Sequence, residues 1–264
     1  MATPTDTWQA AGDGNSQVLS ALIAANTPLD ENDADGRTAL HYATIEGHDI
    51  AVRMLLKAKA NPAVYDESRM PLHYAAAENF TAIMQALIEA QASVDVKDYN
   101  LNKEKDKCPL HIAASAGHTS VVDVLIDAKA ALDVLDLEGK TPLHCAASGG
   151  HDDTVRSLTQ AKAALDVRDH SGNTPLHCAV TKKHNTVISV LVDAKADVEV
   201  KNRLNQTALY HAVARNNPEA VNALLAAGGR VDAVDQHGRT TLHVAAKQNC
   251  HAIIELLLKS LRCR

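Results

Sequence analysis

The amino-acid sequence predicts an all-α protein built from repeated helix-turn-helix modules, and three observations lead there. One tetrapeptide recurs seven times: Thr38-Ala39-Leu40-His41, Met70-Pro71-Leu72-His73, Cys108-Pro109-Leu110-His111, Thr141-Pro142-Leu143-His144, Thr174-Pro175-Leu176-His177, Thr207-Ala208-Leu209-Tyr210 and Thr240-Thr241-Leu242-His243. Its leucines are spaced by 32, 38, 33, 33, 33 and 33 residues, a period that marks stacked supersecondary modules rather than a single globular core. Apolar residues make up 46% of the chain but aromatic ones only 3%, which calls for an aliphatic, helical interior and argues against a β-sandwich or barrel. Finally, apolar residues return at one-face helical spacing, as in Val121, Val122, Leu125, Ile126, then Val187, Ile188, Leu191, Val192, then Ile253, Ile254, Leu257, Leu258.

The elements follow the same order in each repeat. An Asp and usually a Gly precede the tetrapeptide, as at Asp136 and Gly139 or Asp235 and Gly238, and read as a tight turn feeding a helix whose first turn carries the proline. A short alanine-rich helix follows, with small residues such as Ala146-Ala147 and Ala245-Ala246 that allow close approach of neighbours. A second break, Gly117-His118 or Gly150-His151, starts the second helix. Residues 33–264 hold seven such repeats. Residues 1–32 read as an N-terminal capping repeat without its turn, with Trp8 to Ala11 in the first helix and Val18, Leu19, Leu22 and Ile23 in the second. The final helix is expected to turn Ile253, Ile254 and Leu256 to Leu258 inward; the alternative leaves an apolar edge for a partner or a continuation.

In period, signature and both breaks the chain resembles the ankyrin-repeat family. The resemblance implies one continuous solenoid of stacked helix pairs with projecting β-hairpin turns, and a concave face formed by the turns and first helices. Neighbouring helix pairs about 8 to 10 Å apart would bury apolar faces that no repeat can bury alone. It also implies that the tetrapeptide Thr and His tie each turn to its helix. Asp95, Asp133, Asp166, Glu199 and Asp232 stand where the family often has asparagine, which argues against the asparagine hydroxylation known in that family.

Catalytic and metal chemistry find little support. Fourteen histidines are present, but His41, His73, His111, His144, His177 and His243 share the tetrapeptide position, and His48, His118, His151 and His184 share the start of the second helix. A group copied by the repeat is structural; an active site occurs once. Zinc, serine-hydrolase and nucleotide-binding motifs do not occur. No cofactor and no small-molecule substrate is expected, and the chain reads as a non-enzyme. The net charge of −6 gives no bulk attraction to nucleic acid. Five cysteines in an odd set fit a reducing compartment, cytoplasmic or nuclear. Cys145 and Cys178 occupy equivalent positions but would lie beyond the roughly 7 Å limit for a disulfide. Met1 to Gln9 lacks the features of a signal peptide, and no apolar run would insert in a membrane.

Departures from the family pattern mark where this chain is its own. Lys59, Lys129, Lys162 and Lys195 replace the glycine that usually ends the second helix. A non-glycine residue there costs roughly 1 kcal/mol, partly offset by a cation at the negative end of the helix dipole. The third repeat carries a lengthened turn from Asn100 to Lys107; beside Tyr65 and Tyr99 it is expected to be a specificity element. The family's variable surface positions carry over to two sets. The N-terminal set is Asp35, Arg37, Glu46, Tyr65, Glu67, Arg69, Glu78, Tyr99 and Lys107. The C-terminal set is Lys140, Arg168, His170, Lys182, Lys201, Arg203, Arg215, Arg239 and Lys247, with Leu135, Leu137 and Leu204 as apolar anchors.

The expected function is therefore that of a monomeric protein-interaction scaffold, binding through turn tips and concave face a partner whose acidic segment docks at the C-terminal half. The alternative is a targeting or inhibitory subunit, or a fragment of a larger protein, that docks a catalytic partner through its C-terminal edge.

Overall fold

A computed structural model describes residues 4–98 and 106–262. Among them run sixteen helices in eight pairs: α1 (Pro4–Gly12) and α2 (Ser16–Ala24), α3 (Ala39–Ile45) and α4 (Asp49–Lys57), α5 (Pro71–Ala77) and α6 (Thr81–Glu89), α7 (Pro109–Ala116) and α8 (Thr119–Asp127), α9 (Pro142–Gly149) and α10 (Asp152–Gln160), α11 (Pro175–Lys182) and α12 (Asn185–Asp193), α13 (Ala208–Ala214) and α14 (Pro218–Ala226), and α15 (Thr241–Lys247) and α16 (His251–Arg262). The one β-bridge among the described residues pairs Val234 with Thr240 across a turn. Contacts cluster into two compact units, 1–113 with 118–131, and 114–117 with 132–264.

The tetrapeptide leucine is the centre of each repeat. Leu40, Leu72, Leu110, Leu143, Leu176 and Leu209 are buried, as are Val52, Leu55, Val121, Leu125, Val155, Leu158, Val187 and Leu191 from the second helices. The first helices α3, α5, α9, α11 and α15 begin on a capping arrangement in which histidine takes the place of the usual Glu or Gln. At Thr141, Nδ1 of His144 accepts the Thr141 N–H at 3.1 Å and lies 2.9 Å from Oγ1; Thr174 and His177 repeat the geometry.

The break between helices depends on a left-handed residue. Gly117 and Gly150 have φ of 75° and 76°, and a Cβ on either would sit within 2.4 or 2.5 Å of His151 or His184, the histidine of the following repeat. Lys59, Lys129, Lys162 and Lys195 are left-handed too, with φ of 70°, 63°, 71° and 73°. Asn79 and Asn205 have φ of 59° and 56°, a region that asparagine tolerates.

The final helix corrects the expectation that it turns wholly inward. Ile253 and Leu257 are buried, but Leu258 and Leu261 remain 43% and 45% exposed. With a period of 3.6, Leu258 stands about 100° around the helix from Leu257, off the face that buries 253 and 257.

Candidate functional site

Each turn is built around one side chain. Asp136 Oδ1 accepts the N–H groups of Glu138 and Lys140, both at 2.9 Å, while its own N–H reaches Lys140 O at 2.9 Å. Asp33, Asp66, Asp169, Asn202 and Asp235 accept N–H groups in the same way. The acceptor is thus spent on the backbone, and the residues between are pushed out. Adjacent tips are also joined: His170 N–H donates to Glu138 O, Arg203 N–H to Ser171 O and Gln236 N–H to Leu204 O, at 2.9, 3.1 and 3.0 Å.

Three further ties recur between repeats within each compact unit. The tetrapeptide histidines donate Nε2–H to the next turn, His41 to Arg69 O, His73 to Val96 O, His144 to Asn173 O and His177 to Gln206 O. The second-helix histidines reach back to the preceding first helix, His48 to Gly12 O, His118 to Ala77 O, His151 to Ser115 O and His184 to Ser148 O. The acidic residues near the repeat ends accept a backbone N–H one repeat on: Asp95 from Ala131, Asp133 from Ala164, Asp166 from Asp197 and Glu199 from Arg230. Burial pushes the imidazoles of His41, His73, His144 and His177 below their ordinary value, so they serve as neutral hydrogen-bonding groups. No group of three or more His, Cys, Asp or Glu among the described residues is placed to hold a metal ion.

The candidate contact residues divide by what they already touch. In the first compact unit Glu46 and Glu78 are exposed. Arg37 lies 3.9 Å from both Asp35 and Asp66. Tyr65 donates its hydroxyl to Lys97 O at 3.0 Å. Arg69 is 3.7 Å from Asp98 and stacks over Tyr74. Lys107 is half-buried, its N–H on Asp98; Tyr99 and the turn through residue 105 lie outside the described residues.

In the second unit Leu135, Leu137 and Leu204 are about half exposed, and His170, Lys182, Arg203, Arg215 and Lys247 are exposed. Lys140 pairs with Glu138, Arg168 reaches Gly172 O and Lys201 reaches Val234 O. Arg239 is committed to its own turn: its guanidinium lies 2.6 Å from Asp235. Burial works against the Asp235 charge, yet the bonds from Arg239, two backbone N–H groups and Tyr210 hold its carboxyl well below the usual range. The structure brings Leu137, Lys140, His170 and Lys182 together around one cleft of about 420 Å³, floored by Asn173, His177 and Cys178.

One polar cluster escaped sequence reasoning. In the repeat before the last, asparagine replaces the turn aspartate and Tyr210 replaces the tetrapeptide histidine. Tyr210 donates to Asp235 at 3.0 Å, and His211 lies 3.2 Å from Thr181 Oγ1 and 3.1 Å from Asn202 Nδ2. Because the Asn202 amide must donate there, Nε2 of His211 accepts and Nδ1 carries the proton. Burial, with His177 and Arg215 nearby, pushes His211 down to about 4. The register itself carried the signal: one Asn among six aspartates. Asn202→Asp should raise the His211 value by about one to three pH units, because a carboxylate facing the ring favours imidazolium; an NMR titration of the His211 ring reads it, and an unmoved titration refutes the contact.

Sequence and structure comparisons agree with this architecture. The family model described as ankyrin repeats (3 copies) matches residues 7–98, 110–202 and 194–264. The chain belongs to the ankyrin-repeat family. Comparison with curated proteins finds no match. Among solved structures it is similar to the human ASB11 ankyrin repeat domain, known from a crystal structure, with a TM-score of 0.72 and 25% identity over 85% of this chain and 98% of that one. Ankyrin repeats generally mediate protein–protein interaction, and the fold is generally a non-enzymatic scaffold. Among the described residues of this ankyrin-repeat chain, no helix is long and apolar enough to cross a membrane.

Proposed function

We propose that the protein is a monomeric, non-catalytic scaffold of the cytoplasm or nucleus that binds an acidic, partly apolar segment of another protein on the turn tips and first helices of its second compact unit. The observation that carries this reading is the cleft joining Leu137, Lys140, His170 and Lys182. It sets Lys182 and Leu137 on one cleft, the complement of a carboxylate next to an apolar residue, with Lys140 paired to Glu138 in the same lining. Exposed Arg203 and Arg215 extend the same charge. Cys108, Cys178 and Cys250 carry free thiols, in keeping with a reducing compartment.

The test compares two charge reversals of equal size. A random peptide display library is selected on the wild type, on Lys182→Glu with Arg215→Glu, and on Lys162→Glu with Lys195→Glu, whose lysines are exposed outside the cleft. Acidic-apolar peptides should be enriched on the wild type. They should bind the first variant about 10 to 100-fold more weakly and the second without change. Enrichment of neutral or basic peptides, or equal binding to both variants, refutes the reading. Arg239 is left intact because its reversal would set a carboxylate against buried Asp235.

Exposed Leu258 and Leu261 favour a second reading, in which a targeting or inhibitory subunit docks a catalytic partner through the last helix. A partner held that way would keep its affinity for the Lys182→Glu, Arg215→Glu variant.

A further inference from the structure

The residue six places after each aligned leucine closes the first helix, and its charge changes along the chain. It is Glu46 and Glu78, then uncharged Ala116 and Gly149, then Lys182 and Arg215, and last uncharged Gln248. Asp13 corresponds to Glu46, since each immediately precedes a left-handed glycine, Gly14 or Gly47. Between these two acids lies a cleft of about 440 Å³ lined by Trp8, Gln9, Gly12, Asp13, Tyr42 and Glu46. It lies within the first compact unit, apart from the residues used above.

Both aromatic rings are fixed by their polar ends. The Trp8 indole N–H donates to Glu31 O at 3.0 Å, and the Tyr42 hydroxyl donates to Asp33 Oδ2 at 2.5 Å. The backbone between them is held too, because Gly12 O is bonded to the His48 ring at 2.9 Å. Asp13 and Glu46 are exposed, and none of the residues lining the cleft is cationic. Two anchored π-systems beside two carboxylates attract an organic cation: ring faces favour positive charge, and carboxylates accept the N–H groups such a cation carries. A hard metal ion would need six or more oxygen donors, which this set does not supply. A guanidinium suits the cleft better than an ammonium, since its plane stacks on a ring while its edge pairs with a carboxylate.

We propose that the Trp8–Tyr42 cleft, closed by Asp13 and Glu46, binds an arginine side chain from a basic segment of a partner protein. The site goes beyond the acidic-segment reading and stands without it.

Trp8 is the chain's one tryptophan, so its fluorescence reports on the cleft in the full-length protein. The probe is a capped serine-glycine peptide with a single arginine, compared with the same peptide carrying citrulline. The arginine peptide should change Trp8 emission saturably, with the millimolar affinity of a single side chain, and citrulline should bind about tenfold more weakly. Asp13→Asn combined with Glu46→Gln should weaken the arginine peptide about tenfold while leaving the far-ultraviolet circular dichroism unchanged. Glu78→Gln, outside the cleft, should leave binding as it was. An equal response to citrulline, an undiminished response in the double variant, or no saturable response to arginine overturns the proposal.

Discussion

Replacing His144 with alanine should destabilise the protein by about 3 kcal/mol, the cost of a buried cavity plus stranded backbone groups. The ring is buried and serves two repeats at once, accepting the Thr141 N–H and donating to Asn173 O at 3.0 Å. Removing it leaves both main-chain atoms without that partner. His243 provides an internal control. It makes the same local contacts, with the Thr240 N–H at 3.2 Å and Oγ1 at 2.8 Å, but is exposed, so His243→Ala should cost no more than about 1 kcal/mol. Urea denaturation followed by far-ultraviolet circular dichroism measures both. Equal losses would mean that the histidine acts only as a local cap and not as a tie between repeats.

Stability should also fall steeply on mild acidification. A buried histidine whose folded value lies below 6.5 binds its proton more readily in the unfolded chain, so its contribution is complete above 6.5 and declines as pH drops toward the folded value. His211, at about 4, should account for about 3 kcal/mol across that window. His41, His73, His144 and His177 shift in the same direction and add to the loss. The carboxyls of Asp33, Asp66 and Asp235 are held below 3.8, so their contribution is lost only at lower pH, and the window belongs to the histidines. Denaturation midpoints at about pH 7 and about pH 4 test this; His211→Gln should reduce the difference, and a flat wild-type profile would contradict neutral burial.

The helices, their breaks and the role of the registered histidines were legible because each is a local pattern copied many times. Gly117 and Gly150 are left-handed residues, and the histidine copied one repeat on, His151 or His184, is the ring each makes room for. What could not be read required the turns to be folded first. Arg239 looked like a free cation until its own turn placed Asp235 beneath it, and Arg69 likewise meets Asp98 from the following turn. The Trp8–Tyr42 cleft joins residues 34 positions apart, one on α1, which has no tetrapeptide, and one on α3, the first helix that does. The last helix shows the limit of periodicity: a run of apolar residues says that one face is buried, and only packing says which.

The ties from one repeat to the next end mainly on main-chain atoms: carbonyls of Asn173, Gln206, Ser115 and Ser148 on one side, N–H groups of Ala131, Ala164 and Asp197 on another. Any amino acid supplies such a carbonyl and any but proline such an N–H, so side chains at the outer positions are released from the task of cohesion. Modules of this kind can be recombined, and their outward residues can diverge, without retuning the joints. Recognition and stability are therefore free to evolve on separate residues.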